Sequence, residues 1–92
     1  MASFEMALTW REFERQLQPI LDGWIVEKLH DRWRMRRGAC EIEISCRHLP
    51  IHRVGILELP RLAVEIDFDG CKGDAEAQFL QRFHRYFQRG GG

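Results

Sequence analysis

Residues 46–53 read C-R-H-L-P-I-H-R and hold the densest run of chemically capable side chains in the sequence. Cys46, His48 and His52 are metal-ligand types. Their spacing, C-x-H-x3-H, lacks the paired short-spaced ligands of a standard zinc pattern, so they are weak metal candidates. No resident metal or cofactor is expected. Arg47, His48, His52 and Arg53 make a cationic cluster, and Arg61 joins it if the chain bulges there. Arg offers a fork of donors that suits carboxylate and phosphate. The chemistry on offer is capture of a small acidic ligand or an acidic partner surface. A loop that is polar only because it is solvated accounts for the same residues.

A second candidate is the basic segment Lys28, Arg32, Arg34, Arg36 and Arg37, with Trp33 inside it. Cations with an interleaved aromatic can grip a nucleic-acid backbone and stack a base. The competing reading pairs this segment with the next as a hairpin. Arg32, Arg34 and Arg36 then share a wet face with Glu41 and Glu43, and opposite charges across a ladder simply solvate a sheet. Trp33 then points to the core.

No nucleophile, base and orienting group stand at telling spacings, and no glycine-rich phosphate loop is present. Glu41, Glu43, Glu65 and Asp67 are read as ion-pair partners rather than as a catalytic pair. The terminal Gly90-Gly91-Gly92 resembles the glycine tails of ubiquitin-like sulfur carriers, which are activated at the C-terminal carboxylate. The resemblance covers those three residues only. In that family the tail leaves the last strand of a β-grasp fold, whereas here it follows a helical segment. A glycine stop after a helix is the favoured explanation of the three residues.

The elements that must position these groups are organised around Leu62 to Phe68. Leu62, Val64, Ile66 and Phe68 alternate with Ala63, Glu65 and Asp67, the pattern of a strand with one dry and one wet face. Residues 1–7 read as a short arm. Thr9 and Glu12 have capping-box spacing, and Leu8 with Phe13 matches a hydrophobic staple. Phe13, Leu17, Ile20 and Leu21 form one helical stripe. Pro19 favours a kink or break at Gln18, and Gly23 ends the helix. Residues 24–29 have no clean period. Strand is favoured over a helix carrying Ile25, Leu29 and Trp33, with a turn at His30-Asp31.

Trp33 and Met35 alternate with arginines, Gly38 punctuates, and Cys40, Ile42, Ile44 and Cys46 form the next apolar face. Cys40 and Cys46 are expected as core thiols. Residues 47–55 read as a loop. Leu57 and Leu59 open a further extended run, whose alternation slips at Pro60-Arg61 as a bulge. Asp74 caps a second helix, with Phe79, Phe83, Tyr86 and Phe87 on one stripe, Leu80 beside them, and Arg82, Arg85 and Arg89 late in it.

These elements imply an α+β domain of two layers. An antiparallel sheet of three to four strands has one face covered by N- and C-terminal helices, in the order α-β-β-β-β-α. The 92 residues suit a single domain that buries about 60–65% of its unfolded surface. A core that small favours burial against a second copy. With 14 basic and 14 acidic residues the formal net charge is zero, which weighs against a chiefly phosphate-binding protein. No apolar run reaches about 18 residues, and the start does not read as a secretory signal. Three cysteines in no framework spacing favour a reducing, cytoplasmic setting.

The expected function is a small non-enzymatic binding or accessory protein that acts through protein–protein contact as a homodimer. Trp10, Tyr86 or a sheet edge would supply the interface. Nucleic-acid binding through residues 28–37 is the alternative, and ligand or metal binding at the 46–53 loop is a further one.

Overall fold

The computed structural model describes residues 2–87. The elements run β1 (Ala2–Met6), α1 (Trp10–Leu21), β2 (Ile25–Lys28), β3 (Arg32–Arg37), β4 (Cys40–Val54), β5 (Leu57–Asp69) and α2 (Ala75–Phe87). The strands form one antiparallel sheet in the order β1-β5-β4-β3-β2. The α+β class and the antiparallel sheet match the expectation, but the described residues form five strands and their order is β-α-β-β-β-β-α. The extra strand is the segment read as an arm. Ala2, Phe4 and Met6 face Ile66, Val64 and Leu62 across the ladder. Five residues of modest hydrophobicity are held in place by an edge that β5 presents, which local sequence does not display.

Helix α1 begins as the sequence dictates. The Thr9 hydroxyl accepts from the Glu12 backbone N–H at 3.1 Å, and the Glu12 carboxylate accepts from the Thr9 backbone N–H at 3.0 Å. That backbone hydrogen bond, followed by the one from the Thr9 side chain, holds the Glu12 carboxyl below its ordinary pKa. Leu8 and Phe13 are both buried, as a staple requires. Pro19 does not break the helix at Gln18, because it sits in the last turn and only a short segment follows it. Buried Leu17 and Ile20 anchor that turn, and the Pro19 carbonyl accepts from Arg82 Nη2 at 2.6 Å.

Both helices lie on one face of the sheet. Phe13 and Phe87 stack at 5.0 Å between the helices, Phe4 stacks on Phe83 at 5.5 Å, and Phe68 meets Phe79 edge-on at 5.8 Å. The core joins Phe79, Phe83 and Phe87 to Leu62, Val64 and Ile66 of β5, Ile42, Ile44 and Cys46 of β4, and Trp33 and Met35 of β3. Tyr86, placed on the same stripe by sequence, is exposed. Asp74 precedes α2, and its carboxylate accepts from Gln78 Nε2 at 3.1 Å.

Two expectations about connections change. Residues 47–55 are not a loop. Strand β4 continues to Val54 and pairs with β5 through Val54↔Leu57 around the two-residue turn Gly55-Ile56. Gly55 has φ +63°, which fits a glycine at the first central position of a tight hairpin turn. The register shift does stand at Pro60, but the extra residue lies on β4. Two residues, Pro50 and Ile51, separate Leu49 from His52, while only Pro60 separates Arg61 from Leu59. The cysteines also differ from expectation. Cys40 is joined to Cys71 in a disulfide across a Cα separation of 4.1 Å, and Cys46 alone among them is free. A sequence separation of 31 residues hides this pairing, which exists because the β4–β5 hairpin returns the chain to its start. Gly90 to Gly92 and Arg89 lie outside the described residues.

Candidate functional site

The cationic cluster is distributed along a ribbon. Arg47 and His48 line a cleft of about 450 Å³ together with Trp10, His30, Asp31 and Cys46. His52 and Arg61 line a second, of about 450 Å³, with Glu5, Met6 and Leu59. Arg61 Nη2 is engaged by the Glu5 carboxylate. Arg53 belongs to neither cleft and pairs with Glu58 at 3.0 Å. Among the described residues, no three His, Cys, Asp or Glu side chains come together as a metal site, so Cys46, His48 and His52 are not a ligand set. Cys46 occupies a core position on β4, and burial pushes its thiol up to about 11. It is a core thiol, as the sequence implies, and a poor nucleophile at neutral pH.

The first cleft has an aromatic wall that spacing alone did not reveal. Trp10 stacks on Trp33 at 5.3 Å and on His48 at 5.9 Å. Lys28 Nζ sits 5.4 Å from the Trp10 ring and 5.0 Å from the Trp33 ring. Trp10 is thereby half-buried rather than a free interface residue. An H-D turn beside a Trp-opened helix was the available sign, since Cys46 N donates to the Asp31 carbonyl and fixes that turn beside β4. Asp31 is held below the usual carboxylate range by the hydrogen bond from Arg32.

The basic segment is split between the two faces of the sheet. Arg32, Arg34 and Arg36 stand on the uncovered face, while Trp33 and Met35 are buried on the other. Arg32 and Arg34 reach Glu43 at 3.4 Å and 3.3 Å, and Arg34 also reaches Glu27 at 3.6 Å. Lys28 and Arg37 lie on the helix-covered side, Arg37 with its guanidinium 4.2 Å from the Trp24 ring. The five cations therefore form no continuous stripe. On the uncovered face Glu41 opposes Asp69 and Glu43 opposes Asp67, like charges that the flanking arginines offset.

The feature that sequence reading missed is the far end of the β4–β5 ribbon. Strand β3 covers the β4 edge only as far as Ser45, and β1 covers the β5 edge only from Leu62. Beyond these limits the ribbon projects alone, and the molecule measures 48 × 26 × 21 Å. Cross-strand partners share a face, so His52, Val54, Leu57 and Leu59 lie on one side and Arg53 and Glu58 on the other. Val54 is 51% exposed, Leu57 58%, and Ile56, in the turn, 99%. The sign in the sequence was V-G-I-L, an apolar run with a turn glycine inside it. Comparison with protein-family models, with characterised proteins and with solved structures finds no match to this chain.

Proposed function

We propose that this chain is a small non-enzymatic interaction module that acts as a homodimer, with the projecting β4–β5 ribbon as its interface. The observation that carries the reading is the bare apolar face of that ribbon, Val54, Leu57 and Leu59, with Ile56 at its tip. A two-stranded ribbon is marginal in water without an apolar cover. Ile51, in the bulge of the same ribbon, is exposed as well, and clustered exposed apolar side chains of this kind mark contact sites.

A second copy is the occupant this surface fits best. Between His52 and Leu59 the formal charges are Arg53 and Glu58, which pair with each other, so the end of the ribbon that carries the apolar face offers no net charge for an acidic or basic partner to read. The whole chain has zero formal net charge, so two copies meet without repulsion. The contact is through side chains rather than through an added strand. Pro50 and Pro60 remove ladder donors from the root of the ribbon, a common protection of exposed edges. A two-fold arrangement sets the same face of each copy against the other.

Support for the nucleic-acid reading is weaker, because Arg32 and Arg34 are engaged by Glu43 and Glu27, Lys28 and Arg37 lie on the helix-covered side, and Arg36 alone makes no cationic stripe on the uncovered face. No helix of the described residues is long and apolar enough to cross a membrane. The cytoplasmic placement that the cysteine count favours carries a condition, since disulfides persist mainly in oxidising compartments. In the cytoplasm Cys40 and Cys71 would stand as thiols.

The experiment is sedimentation across a wide concentration range at moderate salt. Reversible, concentration-dependent dimerisation that Leu57→Asp abolishes supports the reading. A monomer at every concentration contradicts it.

A further inference from the structure

The disulfide draws together two turns that sequence keeps far apart. One is the β3–β4 turn, which carries Arg37, Ala39 and Cys40. The other is the β5–α2 turn, which carries Gly70, Cys71 and Lys72. Gly70 permits the approach. It has φ +70°, and a Cβ there would run into the Ala39 carbonyl oxygen. Between these turns and α2 opens a cleft of about 470 Å³, within the usual range for small-ligand sites.

Its lining combines charge of one sign with aromatic surface. Arg37, Lys72 and Arg82 line it, and the lining contains no carboxylate. Trp24 and Phe79 supply apolar walls, meeting edge-on at 6.0 Å. The Arg37 guanidinium sits 4.2 Å from the Trp24 ring centroid, a cation–π contact that keeps its donors beside the cleft. Arg82 spends one donor on the Pro19 carbonyl and lies 5.7 Å from the Tyr86 ring, which positions the guanidinium, and its other N–H groups have no hydrogen-bond partner among the described residues. Asp22 and Glu76, though near in sequence, do not line the cleft. Asp74 is engaged by Gln78, and Asp69 and Glu41 oppose each other across the ladder on the uncovered face of the sheet.

We propose that this cleft is an anion site for a small phosphate monoester whose flat apolar body lies against Trp24 and Phe79. Three cations match a doubly charged head group better than a single carboxylate. The site is separate from the ribbon, so it stands or falls independently of dimerisation.

The test is calorimetric titration of the oxidised protein with phenyl phosphate, with phenol and inorganic phosphate as the parts of that probe. Saturable phenyl phosphate binding that exceeds both parts and weakens with salt is expected. Lys72→Gln, a change in an exposed turn, should weaken it about tenfold, the scale of one charge-assisted hydrogen bond. Lys72→Arg should retain it, and Arg37→Gln should also weaken it. The assignment is overturned if phenyl phosphate does not bind, if phenol binds as well, or if neither Lys72→Gln nor Arg37→Gln changes the affinity.

Discussion

Arg53 and Glu58 face each other across the ribbon at 3.0 Å, on the side opposite Val54 and Leu57. This pair makes the ribbon two-sided, with its charge cancelled on one side and apolar on the other. Both partners are exposed, so the pair contributes little to stability, at most about 1 kcal/mol. Glu58→Gln should therefore leave the thermal midpoint and the dimerisation constant nearly unchanged. Loss of dimer in Glu58→Gln would mean that the charged side, not the apolar side, makes the contact.

The Cys40–Cys71 bridge closes a loop of 31 residues that contains the whole ribbon. Chain-entropy reasoning assigns such a loop about 3–4 kcal/mol. Denaturant unfolding with and without reductant should differ by that order, and the double variant Cys40→Ser with Cys71→Ser should match the reduced protein. Thiol counting under denaturing, non-reducing conditions should find one thiol, Cys46. Three thiols in air-oxidised protein would contradict the bridge.

Cys46 gives a pH dependence with a definite sign. Burial disfavours the thiolate and pushes the folded thiol up to about 11, above its ordinary value near 9. As pH rises from 9 towards 11 the unfolded chain loses this proton while the folded chain keeps it, so stability falls across that window. Iodoacetamide should label native Cys46 very slowly at pH 8 and rapidly after denaturation. Fast native labelling would show that the thiol is not enclosed.

The parts legible in the sequence were those whose cause is local. The Thr9–Glu12 capping box and the alternation of Leu62, Val64, Ile66 and Phe68 each carry their reason within a few residues. So does the Phe79, Phe83 and Phe87 stripe, and the pairing of Arg32 and Arg34 with Glu43 needs only the adjoining β3–β4 hairpin. What was not legible depends on distant chain. Strand β1 forms because β5 offers an edge, and Cys40 finds Cys71 because a hairpin returns. The 47–55 segment reads as a loop, yet the β4 bulge absorbs Pro50 and Ile51 and the strand continues to Val54. The cationic cluster does not gather at one place, because extended backbone spreads Arg47, His52 and Arg53 along a ribbon. The apolar tip was visible as composition, but only its projection beyond β1 and β3 shows that nothing in the described chain covers it.

The measurement that bears most directly on the central claim is sedimentation velocity of wild type and Leu57→Asp side by side, with folding of both confirmed by circular dichroism. Leu57 is exposed, so the charge should leave the fold intact. The expected result is a wild-type dimer that dissociates on dilution and a Leu57→Asp protein that stays monomeric at every concentration. A wild type that remains monomeric, or a Leu57→Asp protein that dimerises as tightly as wild type, would contradict the ribbon as the interface.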